Sequence, residues 1–168
     1  QKDTDGDSTG DACDPDEQPD LSVLSLSAPT GTILPGQPLS LSATLLNDGP
    51  GDAESFPVTF YLSSNTTLEP AIDTPLGHCW VEGLNGGATT TCATNTARIP
   101  PSFRTGQPSP VPYRWITCAN RSEVELESDS TDDCMVAPQG VTVPEPDSLL
   151  PVGAIGLALL VRTRRARV

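Results

Sequence analysis

Phe56-Pro57-Val58-Thr59-Phe60-Tyr61-Leu62-Ser63 is the stretch that decides the fold. Phe56, Val58, Phe60 and Leu62 alternate with Pro57, Thr59, Tyr61 and Ser63. Successive side chains of an extended chain point to opposite faces, so this period of two means a half-buried strand. Upstream, Leu39, Leu41, Ala43 and Leu45 alternate with Ser40, Ser42 and Thr44 in the same way. Earlier still, Leu21 and Val23 share one parity while Leu24 and Leu26 share the other. A single phase slip of this kind predicts a bulge or a switch between sheets. Asn47-Asp48-Gly49-Pro50-Gly51 and residues 29–36 are turn clusters that separate these strands.

Downstream, the cysteines set the expectations. Cys79 and Cys92 are equidistant from Asn85-Gly86, a strong hairpin turn signal. A hairpin folded there places Cys79 opposite Cys92, Trp80 opposite Thr91 and Val81 opposite Thr90. For a two-residue turn the cysteines fall on a non-hydrogen-bonded site, with Cα atoms roughly 4.5 Å apart. A four-residue loop keeps the pairing and changes that class. This register puts Leu76, Trp80, Ala93, Ala97 and Ile99 on one face, with the cystine on the other, towards solvent. A proline-rich crossing follows, with Pro100, Pro101, Pro108, Pro110 and Pro112, and then the strand Tyr113-Arg114-Trp115-Ile116-Thr117-Cys118. Alternation predicts Tyr113 and Trp115 inward, Arg114 and Cys118 outward. Cys134 opens the final strand. Four cysteines allow three pairings. Pairing of neighbours, Cys79 with Cys92 and Cys118 with Cys134, staples one hairpin each and leaves Cys13 over. The second bridge closes a loop worth roughly 3 kcal/mol in the chain-entropy view.

The stretches Pro19-Asp20-Leu21, Pro35-Gly36-Gln37, Val58-Thr59-Phe60-Tyr61-Leu62-Ser63, Leu76-Gly77 and Tyr113 to Cys118 together resemble the CARDB domain, a cell-adhesion-related domain of bacteria. The run Glu127-Ser128-Asp129-Ser130-Thr131-Asp132-Asp133-Cys134 is similar to that family's Glu-Ser-Asn-Glu-x-Asn-Asn loop, with acids in place of several amides. The resemblance implies an all-β, immunoglobulin-like, seven-stranded β-sandwich over residues 19–143, used as a surface or spacer module. About seven short alternating strands with regular turn signals agree with it.

Two appendages flank this region. Residues 1–18 hold almost nothing apolar and cannot bury a core, so without a counter-ion they are expected to be disordered. Asp3, Asp5 and Asp7 alternate, Asp11 follows, and Asp14 stands at the twelfth loop position. Hard oxygen ligands at positions 1, 3, 5 and 12, with a backbone carbonyl at 7 supplied by Thr9, form a Ca²⁺ cage. The run from Asp3 to Asp14 resembles one thrombospondin type 3 repeat, a calcium-wrapped acidic unit of extracellular proteins. Ser8 departs from that pattern by standing where glycine usually makes a turn of positive φ. Asp14 departs from it too, because glutamate is the better bidentate ligand at that position.

Residues 144–168 begin Pro144-Glu145-Pro146, continue into an apolar run over 149–161, and end with Arg162, Arg164, Arg165 and Arg167. The prolines stop the folded domain. The apolar run is short of the roughly 20 residues that a stable bilayer span needs, and the arginines hold its far end on the cytoplasmic side. This arrangement resembles the PEP-CTERM sorting signal. It implies a short apolar helix, transient membrane insertion, and handling by an exosortase-type enzyme that passes the protein to the cell surface or matrix.

The chain has 168 residues and a net charge of −13. Such a charge repels nucleic acid and anionic lipid and attracts metal cations. Catalytic signatures are missing: His78 is the one histidine, beside Cys79 on a strand, and no phosphate-cradling glycine loop or HExxH appears. Glu123, Glu125, Glu127, Asp129, Asp132 and Asp133 read first as a solvated acidic loop, with a second Ca²⁺ site or a paired-carboxylate site as the alternative. The expectation is an exported, non-enzymatic adhesion or structural module with Ca²⁺ as its ion, and extracellular polysaccharide or other surface proteins as partners. An alternative is the C-terminal accessory region of a larger secreted hydrolase. A carbohydrate-binding module ranks third, because Tyr61 is the one good outward aromatic.

Overall fold

The computed structural model describes residues 8, 10, 18–103, 112–120 and 127–144. These hold strands β1 (Leu21–Ser27), β2 (Gly31–Thr32), β3 (Pro38–Asn47), β4 (Phe56–Ser63), β5 (Thr74–Val81), β6 (Thr89–Arg98), β7 (Pro112–Ala119) and β8 (Cys134–Thr142). Seven are full strands, and β2 is a two-residue addition that runs parallel to β8. The other pairings are antiparallel. One sheet is ordered β1-β3-β6 and the other β2-β8-β7-β4-β5.

The alternating stretches build the inner faces. Phe56, Val58, Phe60 and Leu62 of β4 are buried, as are Leu39, Leu41, Ala43 and Leu45 of β3. Leu21, Val23, Tyr113, Trp115 and Val141 complete the layer between the sheets. Trp115 buries its indole and donates its Nε1–H to the carbonyl of Pro29 at 2.9 Å, which satisfies the one polar atom it takes inside. The phase slip in β1 is a bulge: Val23 pairs with Leu45 and Ser25 with Thr44, so Leu24 is left over and exposed.

The hairpin register centred on Asn85-Gly86 does not form. Val58 pairs with Cys79, so β5 is an edge of the five-stranded sheet. Ala43 pairs with Cys92, so β6 is an edge of the three-stranded sheet. The chain crosses between sheets over residues 82–88, where Leu84 and Ala53 exchange backbone hydrogen bonds of 2.9 and 3.0 Å. Two long strands each gain an apolar partner strand by separating, and that outweighs one favourable local turn. The Cys79–Cys92 bond therefore spans the sandwich, with Cα atoms 6.0 Å apart, and Cys92 is buried in the core. Trp80 and Ala93 are exposed, opposite to the expected facing, while Leu76, Ala97 and Ile99 are buried.

Cys118 is also corrected. It is fully buried, on the face of β7 opposite Tyr113 and Trp115, and Ile116 beside it is buried too. Alternation predicts an exposed outer face only for a half-covered strand, and β7 is interior to its sheet and closed on both sides. Cys118 is bonded to Cys134 directly across the β7–β8 ladder, with Cα atoms 4.1 Å apart.

Candidate functional site at the acidic end of the sandwich

The chain enters the sandwich at residues 18–21, and three turns converge there. Asn47, at the end of β3, is fully buried and makes every hydrogen bond its amide can offer. Its Oδ1 accepts from the backbone N–H of Asp20 at 2.9 Å and of Gly49 at 3.2 Å. Its Nδ2 donates to the carbonyls of Gly51 at 2.7 Å and Leu84 at 2.9 Å. One side chain thus ties the entering segment, the 47–51 turn and the 82–88 crossing together. Gly49 permits the approach, since a Cβ there would lie 2.5 Å from the Gln18 carbonyl oxygen and 2.6 Å from the Asp20 nitrogen.

Glu127 fastens the same segment from the other side. Its Oε2 accepts from the N–H of Leu21 at 3.1 Å, and its Oε1 accepts from Nδ2 of Asn120 at 2.6 Å. The buried carboxyl of Asp133 also acts on it, lowering its pKa against the effect of burial. Ser128 donates its N–H to the Pro19 carbonyl at 3.0 Å. Asn120 turns with a φ of 44°, a left-handed conformation that asparagine tolerates better than most residues.

The electrostatics are one-signed. Burial, followed by the charges of Asp132, Asp129 and Asp48, raises the carboxyl of Asp20 above the ordinary carboxylate value. Asp20 Oδ1 is shielded from solvent with no hydrogen-bond donor among the described residues. Burial also raises Glu127, against the opposing effect of its hydrogen bonds with Asn120, Leu21 and Asp133, and the charge of Asp20 adds to the rise. Asp129 is lowered, because Thr131 donates to it from its hydroxyl and its N–H. This end of the molecule repels anions and favours protons or cations. Among the described residues, no group of three or more His, Cys, Asp or Glu side chains is arranged to hold a metal ion.

Asp3, Asp5, Asp7, Thr9, Asp11 and Asp14 lie outside the described residues, as do Glu145, Pro146, Arg162, Arg164 and Arg165. Ser8 is described and adopts a φ of 79°. Pro144 ends the described chain just after β8. Cys79 is brought to Cys92, and Cys118 to Cys134. Two residues that matter most at this end, Asn47 and Glu127, read from sequence only as a turn residue and a loop acid. Glu127 opens the acidic run that carries the family resemblance, and that position was the available signal.

A family model, CARDB, matches residues 18–133. The chain belongs to the CARDB family. Two solved relatives support the same fold. The CARDB domain of a Pyrococcus furiosus protein, solved in complex with di-metal ions, is 16% identical, with a TM-score of 0.51 over 76% of this chain and 90% of that one. A domain of a Methanosarcina acetivorans protein described as a cell surface protein is 18% identical, with a TM-score of 0.51 over 76% of this chain and 94% of that one. At such identities the likeness carries the architecture alone. No curated protein matches the chain. Among the described residues, no helix of this CARDB chain is long and apolar enough to cross a membrane.

Proposed function

We propose that this CARDB chain is an exported, non-enzymatic module of the bacterial cell surface or matrix, serving adhesion or structural spacing. The observation that carries the reading is the pair of cystines built into the sandwich, one spanning the two sheets and one crossing the β7–β8 ladder. Disulfides of this kind form and persist where the surroundings are oxidising. In this reading the PEP-CTERM-like tail, Pro144-Glu145-Pro146 with Arg162, Arg164 and Arg165, inserts transiently in the inner membrane and is handled by an exosortase-type partner. The thrombospondin-like head binds Ca²⁺ through Asp3, Asp5, Asp7, the Thr9 carbonyl, Asp11 and Asp14. The positive φ of Ser8 supports this, because the sixth position of such a loop needs that conformation.

Calcium here is a stiffener. It neutralises the carboxylates of the head, which joins the sandwich at an end that is itself acidic. The test is thermal unfolding of the full chain in calcium and in chelator. Calcium should raise the melting temperature saturably, as a ligand that binds only the folded state does, and Asp5→Asn with Asp7→Asn should remove the rise. An unchanged melting temperature in wild type would overturn the calcium assignment. Recovery of the exported protein with its arginine-tipped end intact would overturn the sorting assignment.

A further inference from the structure

Trp80 is 52% exposed although it stands within β5, on the outer face of the five-stranded sheet. It is not a loose side chain: the His78 ring meets it edge to face, with centroids 6.4 Å apart and planes at 89°. The register aligns Trp80 with Pro57, His78 with Thr59, and Pro75 with Tyr61 on adjacent strands. Pro75 and His78 are exposed, and Pro57, Thr59 and Tyr61 are half-buried. The nearest acids along β5 are Asp73 and Glu82, one before and one after the strand. In a chain with 22 acidic residues, these six positions carry none.

We propose that this strip binds a neutral polysaccharide chain, with Trp80 as the stacking ring, Tyr61 as a second contact, and Thr59 and His78 as hydrogen-bonding partners for hydroxyls. The negative face of an indole attracts the slightly positive C–H face of a sugar ring, and its N–H is a donor suited to a hydroxyl. Pro57 and Tyr61 are four residues apart on β4, so the two aromatic positions are roughly 13 Å apart along the strand. A chain bridges that span and a single sugar does not. Charge and area exclude the other occupants. Anionic polymers and lipid surfaces meet a net charge of −13, and so does a second copy of the chain. A stable protein partner needs an interface of about 1,000 Å² or more, which a strip of two short strand segments does not supply. The Asn85-Gly86 hairpin register places Trp80 on the face away from the cystine, and the observed pairing of β5 with β4 brings it to the outside.

The proposal deepens the surface-module reading and rests on it for the ligand's location. The experiment is affinity electrophoresis of the full oxidised chain through native gels containing hydroxyethylcellulose, laminarin or galactomannan. At least one polymer should retard the wild type. Trp80→Ala should weaken the affinity at least about tenfold, as loss of a central aromatic anchor does, with Tyr61→Ala weaker in effect and Trp80→Phe partly restoring binding. Tryptophan emission should shift on binding through Trp80, since Trp115 is buried. Should Trp80→Ala fail to fold, Trp80→Phe and Tyr61→Ala carry the same test. Absence of retardation by all three polymers, retardation equal in wild type and Trp80→Ala, or a dimer in solution that Trp80→Ala dissociates would each overturn the proposal. A chain with both cystines that binds no polymer removes the platform and leaves the export reading standing.

Discussion

Asn47 is the residue whose loss should be felt most. Its replacement by alanine leaves the N–H groups of Asp20 and Gly49 and the carbonyl of Gly51 without this partner, while the Leu84 carbonyl keeps the N–H of Ala53. Buried groups left unsatisfied cost about 1–3 kcal/mol each before relaxation and water entry, so Asn47→Ala should lower stability by about 2–4 kcal/mol, read by urea unfolding. Gly49→Ala should be destabilising as well, because its Cβ meets backbone atoms at 2.5–2.7 Å and forces them to shift. The carboxyls give a pH prediction. Asp20 and Glu127 are raised in the folded state, so the fold holds their protons more tightly than the unfolded chain. Their contribution is fully present below the unfolded value, about 4 for these acids, and is lost as pH rises through the folded values. Melting temperature should therefore rise as pH is lowered from neutrality into the ordinary carboxylate range, and Glu127→Gln should flatten that rise. Asp129, lowered by Thr131, acts in the opposite sense but is exposed and screened. None of this was legible in local spacing: Glu127 and the Leu21 N–H it holds are 106 residues apart.

The strands were legible where one face is buried and the other is not. β3 follows its alternation throughout, β4 follows it as far as Leu62, after which Ser63 is buried as well, and the β1 bulge falls where the parity changes. Two elements escaped for physical reasons. Asn85-Gly86 is a genuine turn signal, but each flanking strand finds a better apolar partner in a different sheet, so the local preference is overridden and Trp80 emerges on the outside. β7 is covered on both faces, so its alternation carried no information about Cys118. The two bridges then differ in what they hold. Cys79–Cys92 locks sheet to sheet, while Cys118–Cys134 locks neighbours already joined by the ladder. Their sequence separations, 13 and 16, are similar, so the chain-entropy view gives about 3 kcal/mol for each. Paired serine substitutions should lower stability by that order in denaturant titrations. The Cys79→Ser, Cys92→Ser pair should also raise hydrogen exchange along β6, an edge strand.

At the scale of the whole molecule, the family was legible in the strand stretches and the acidic loop, and the net charge concentrates its effect at one end of the fold. The chain carries a net charge of −13, and its CARDB sandwich presents an acidic end where residues 18–21 enter. Export from the cytoplasm is the central proposal. The most direct measurement is the intact mass and peptide map of the native exported protein, taken with and without reductant. Reduction should add the hydrogens of two cystines, and unreduced peptides should be linked Cys79 to Cys92 and Cys118 to Cys134. Native material in which these four cysteines are free thiols would contradict that proposal.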